Sequence, residues 1–128
     1  MKLCEVAQFV FGDRKHQLTT FMARTASEAA EDVSGVRFQL SQSFAKRLVG
    51  SMIQDFWFFR NIVVGAKEKQ FEKKLRATIT RPVTGAIQSM LVDHPGSISI
   101  DPTTFTEAFI QRLLHKRGEL AQIFEMHN

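Results

Sequence analysis

Between Ser41 and Val63 the apolar residues Phe44, Leu48, Met52, Phe56, Phe59 and Val63 recur at three- and four-residue steps. That interval places them on one side of an α-helix, so this stretch must bury a long stripe against other elements. Val49, Ile53 and Trp57 widen the stripe, and Ser41 or Ser43 supplies an N-cap. The chain has 128 residues, 44% of them apolar and 23% charged, which suits one globular domain over 1–128 and argues against disorder. Twelve phenylalanines and no tyrosine suit a dry core or a dry interface, because a phenylalanine ring brings no hydroxyl that must find a partner.

The segments around this helix carry other signals. Residues 3–11 are rich in Val and Phe and run into Gly12-Asp13, a turn pair. Over residues 17–24, Leu18, Thr20 and Met22 alternate with Thr19, Phe21 and Ala23. Together they predict a β-hairpin with Gly12-Asp13-Arg14-Lys15 at its tip. Thr25-Ala26-Ser27-Glu28 fits a capping box that opens a short helix, with Ala26, Ala29, Ala30 and Val33 on one face and Ser34-Gly35 as its stop. The predicted fold class is therefore α+β: an N-terminal β-hairpin and short helix, then a mainly helical body of three or more helices.

Further along, residues 70–81 satisfy both helix and strand patterns. Phe71 and Leu75 keep a helical step, whereas Ala77-Thr78-Ile79-Thr80 suits a strand. Arg81-Pro82 should end the element, since proline disfavours helix at the residue before it. Pro82 then opens another helix with Val83, Ala86, Ile87, Met90 and Leu91 inward, and His94-Pro95-Gly96 stops that one. Ser97–Ile100 is an extended connector. Asp101-Pro102 is a cap followed by a first-position proline, and Phe105, Phe109, Leu113, Leu120 and Phe124 mark a last helix interrupted at Gly118.

Charge is the feature closest to function. The net charge is +4, and residues 66–81 alone hold six basic and two acidic groups. Residues 1–40 balance, residues 41–65 hold three basic and one acidic, and residues 82–128 hold three basic and five acidic. Lys67, Lys74 and Arg81 fall at seven-residue intervals on one helical stripe, with Lys69, Lys73 and Arg76 beside them. That pattern reads as a solvated face, as a phosphate-binding surface for nucleic acid, or as a docking surface for an acidic protein.

The leading expectation is a small, basic, cytoplasmic, non-enzymatic protein that is nucleic-acid-associated or regulatory and acts through this segment. A second is a protein-interaction module or homodimer using the Phe56–Val64 run, with Trp57, Phe58 and Arg60 at the interface and the aromatics buried. Arg60 in such a run either snorkels to the surface or pairs with an acid such as Asp55 or a C-terminal one. A third is a small ligand-binding domain with a Phe-lined pocket.

Other chemistries lack their residues. There is no G-x-G-x-x-G, no P-loop and no G-x-S-x-G, so neither a cofactor nor a catalytic set is expected. His16, His94, His115 and His127 have no metal-ligand spacing. His115 with Glu119, and Asp93 with His94, are the nearest pairs, each read as a structural contact. The single Cys4 excludes an intrachain disulfide and reads as an inert buried thiol. Glu5 and Gln8 interrupt any signal-like apolar run, and Arg60-Asn61 interrupts the longest apolar stretch, so no signal peptide and no membrane span are expected.

Overall fold

The structure is a computed structural model that describes residues 3–35, 38–96 and 99–125, with side chains from Asp13 onward. The described elements are helices: α1 (Leu3–Ser34), α2 (Ser41–Met52), a short 3-10 turn (Ile53–Asp55), α3 (Phe56–Gly65), α4 (Glu68–Asp93), α5 (Pro102–His115) and α6 (Arg117–Phe124). Among the described residues there is no strand, so the fold is all-α and the predicted β-hairpin is absent. Cys4 is in α1 and not in a strand, its side chain lies outside what is described, and so do His127 and residues 97–98 of the predicted connector.

The hairpin fails for a specific reason. Leu18 and Met22 are four residues apart, a spacing that fits a period of 2 and a period of 3.6 equally well. Burial separates the two. Leu18, Phe21, Met22, Thr25, Ala26, Ala29 and Ala30 are all buried, which is a helical stripe and not an alternation. The burial of that stripe outweighs the cost of Gly12 inside the helix, about 1 kcal/mol relative to alanine. Thr25 is likewise no cap. It sits mid-helix, where its hydroxyl donates to the Phe21 carbonyl at 2.9 Å, and Glu28 bonds Lys116 instead. The stop is where the sequence places it: Gly35 takes φ +72°, a conformation that glycine adopts without strain.

The long 41–63 helix is broken in two. Phe44, Leu48, Val49, Met52, Phe56, Phe59 and Val63 of its predicted stripe are buried, Ile53 is half-buried and Trp57 is exposed, and the axis turns through the 3-10 segment and Asp55, whose φ −116° and ψ 38° are not helical. Leu40, not Ser41 or Ser43, occupies the N-cap of α2. Residues 70–81 are helix, and α4 does not end at Arg81-Pro82. It runs through Pro82 because Phe71, Leu75, Ile79, Val83, Ile87 and Met90 form one unbroken buried stripe. Asp101 caps α5, accepting from the Thr104 amide at 2.9 Å, and the break before α6 comes at Lys116, not Gly118.

The packing follows from these faces. α1 lies against α2 and α5, and α4 lies against the same two, so α1, α2, α4 and α5 form a four-helix ring with α1 and α4 diagonal. α3 and α6 pair with each other beside it, α3 also touching α4 and α6 touching α1. Phe44 sits 5.2 Å from Phe105 and 5.5 Å from Phe109, both edge to face, with Phe38 alongside. Phe56 meets Phe124 at 5.2 Å where α3 joins α6. No described helix is long and apolar enough to cross a membrane.

Candidate nucleic-acid interface

The buried stripe of α4 determines where its charges go. With Phe71, Leu75, Ile79 and Val83 turned to the ring, the basic side chains of residues 67–81 other than Arg76 are left on the outer half of the helix. At 100° per residue Lys67, Lys74 and Arg81 lie within about 40° of one line, and Lys69 and Lys73 lie on the flank toward α5. Lys67, Lys69, Lys73, Lys74 and Arg81 are exposed and make no ion pair among the described residues.

Arg76 is different. Its guanidinium bonds both carboxylate oxygens of Glu107 on α5, at 2.7 and 2.9 Å, with Glu72 at 3.9 Å. The same contact holds the Glu107 carboxyl below its ordinary range. Arg76 thus ties α4 to α5 and contributes little to the open field.

Pairing elsewhere sharpens the contrast. Arg24 bonds Glu119 across α1 and α6, Arg47 bonds Asp93 and Ser89 across α2 and α4, Arg112 bonds Asp32 across α5 and α1, and Lys116 bonds Glu28. These contacts occupy carboxylates around the ring, while the first half of α4 keeps only Glu68 and Glu72 against its cations. Lys67 and Lys69 also stand at the positive end of the α4 dipole, where the field already favours an anion. A cleft of about 510 Å³ between α2 and α4, lined by Arg47, Ser51, Arg81, Pro82, Gly85 and Ser89, extends the surface sideways.

The interface candidates divide. Phe56 and Phe59 are buried, but Trp57 is 61% and Phe58 56% exposed, so the aromatic run is not buried as a whole. α6 and α4 both lie against α3, and Trp57 and Phe58 face away from its buried side. Arg60 finds no acid among the described residues; its guanidinium instead stands 5.9 Å from the Trp57 ring centroid.

Sequence reasoning overlooked Arg117. It lies 4.1 Å over the Phe71 ring and donates to the carbonyls of Val63, at 3.1 Å, and Ala66. It thereby holds the two-residue corner from which Lys67 projects. Its only signal was position, a basic residue just after the α5 break.

The remaining pairs are structural in geometry. Glu119 is taken by Arg24, and Asp93 by Arg47. No group of three metal-ligating side chains occurs among the described residues. A cleft of about 560 Å³ between α1 and α6 is lined by His16, Gln17, Thr20, Arg24, Glu119 and Ile123, with Phe21 the one phenylalanine among the described residues of its wall.

Among the described residues, the fold and this surface define an all-helical protein with five unpaired basic side chains on the outer face of α4 and its N-cap. No family model, curated protein or solved structure matches the chain.

Proposed function

We propose that the protein is a non-enzymatic, nucleic-acid-associated protein that holds phosphates on the outer face of α4. The observation that carries this reading is the set of five exposed basic side chains, Lys67, Lys69, Lys73, Lys74 and Arg81, without an acid partner among the described residues. From Lys67 to Arg81 the helix rises about 21 Å, the length over which a B-form strand passes about six phosphates. Lysines on flexible stems suit point contacts to phosphate more than base reading, so the binding is sequence-independent.

Such binding weakens steeply with salt, because each neutralised phosphate releases condensed counterions. Lys73→Ala with Lys74→Ala should lower the log–log salt slope by about one unit per lost phosphate contact while leaving the unfolding midpoint in place. Fluorescence anisotropy of labelled duplex and single-stranded oligonucleotides across a salt series measures this. Absence of binding to either at low salt refutes the reading and puts an acidic protein partner ahead. Binding that ignores the double substitution moves the surface toward Lys15 and Lys46, the exposed lysines outside α4 that also lack an ion pair among the described residues.

A further inference from the structure

We infer that the nucleic acid taken by this surface is single-stranded, with Trp57 and Phe58 as a platform on which its bases stack. The inference rests on the phosphate-binding reading of α4 and adds the aromatic half of the site.

In α3 the inward arc is filled by Phe56, Phe59, Ile62 and Val63, and Trp57 and Phe58 project on the outward side. Each exposed ring leans on a buried neighbour. Trp57 meets Phe56 at 5.3 Å and 84°, and Phe58 meets Phe59 at 6.3 Å and 74°. Edge contact of this kind restrains a ring while leaving much of it open to a ligand.

Within α3 the one charge is positive. Arg60 stands beside Trp57, and α3 itself contains no acid. Along the chain the nearest acids are Asp55 before it and Glu68 after it. Trp57 lies about 12 Å along the helix axis from Gly65, and the corner fixed by Arg117 then delivers Lys67 and Lys69. Aromatics followed by a run of cations are what a flexible polyanion with free base faces requires. A duplex keeps its base faces stacked and has no use for such rings.

Trp57 is the one tryptophan and the chain has no tyrosine, so intrinsic emission reports on this position alone. Titrating the full chain with a thymidine oligomer should quench that emission saturably. By anisotropy, Trp57→Ala should weaken single-strand binding about tenfold and leave duplex binding unchanged, while Trp57→Phe retains most of the affinity. Equal melting curves for the three proteins show that the fold is intact. Equal binding of single strand and duplex without quenching overturns the inference and leaves the α4 reading standing. No binding of either removes both. An emission change produced only by phosphatidylglycerol vesicles, or a mass that rises with protein concentration as emission shifts to the blue, assigns the patch to a membrane surface or to a second copy and overturns it as well.

Discussion

Phe44 and Phe105 meet edge to face at 5.2 Å, each with no exposed surface, at the centre of the ring between α2 and α5. Neither ring has a polar atom, so their contribution is area removed from water plus the fit of one quadrupole to another. Phe44→Ala should cost about 3–5 kcal/mol, the range for a large side chain deleted from a core that relaxes only partly. Trp57 is larger, yet its ring is mostly in water, and Trp57→Ala should change stability by no more than about 0.5 kcal/mol. Urea unfolding of the two variants side by side checks both figures. The comparison separates two aromatic roles that composition alone merges, core filling and an open surface.

At the scale of elements, α4 is the least conventional helix. Pro82 lies inside it, cannot donate to the Thr78 carbonyl and crowds that same turn. Nearby, the hydroxyls of Thr78 and Thr80 donate back to the carbonyls of Lys74 and Arg76, at 2.8 and 2.6 Å, in place of solvent. The helix persists because Ile79, Val83, Ile87 and Met90 are all buried on the stripe that Phe71 begins. Pro82→Ala restores the missing donor and should raise stability by about 1–3 kcal/mol, read as a higher urea midpoint. A lower midpoint would show that the proline ring's packing in the α2–α4 cleft outweighs the lost hydrogen bond.

Across the whole molecule, exposed ion pairs join the helices of the ring to one another and α6 to α1, and each one alone contributes little. Their pH dependence is nonetheless directional. Hydrogen bonds from Arg112 hold the Asp32 carboxyl below its ordinary 3.8, and those from Arg76 hold Glu107 below its ordinary 4.5. The Asp101 carboxyl is lowered by the backbone amide and hydroxyl of Thr104. A carboxyl with a depressed folded value stabilises fully above its unfolded value and loses that contribution as pH falls through the folded one. The melting temperature should therefore decline below about pH 4, and Asp32→Asn with Glu107→Gln should flatten part of that decline. Thermal melts of both proteins across the acid range measure it.

What the sequence by itself determined is local. The inward stripe Phe44, Leu48, Met52, Phe56, Phe59 and Val63 is legible as spacing and is buried throughout. The Asp101-Pro102 start and the Gly35 stop are legible as cap chemistry. The concentration of cations in 66–81 is legible as a count. The tertiary structure decided whatever depends on a distant neighbour. Leu18 and Met22 fit strand and helix alike until α2 and α5 cover the face that also holds Phe21 and Thr25. Proline's local preference against helix gave way once Val83 to Met90 had a ring to face. α4 and α6 pack against the face of α3 that holds Phe56, Phe59, Ile62 and Val63, which turned half of an apolar run outward as Trp57 and Phe58. Arg76 left the basic surface because Glu107, far along the chain, lies opposite it. Periodicity and capping act within a few residues, whereas burial and ion pairing are set by which faces meet, and that is a property of the assembled helices.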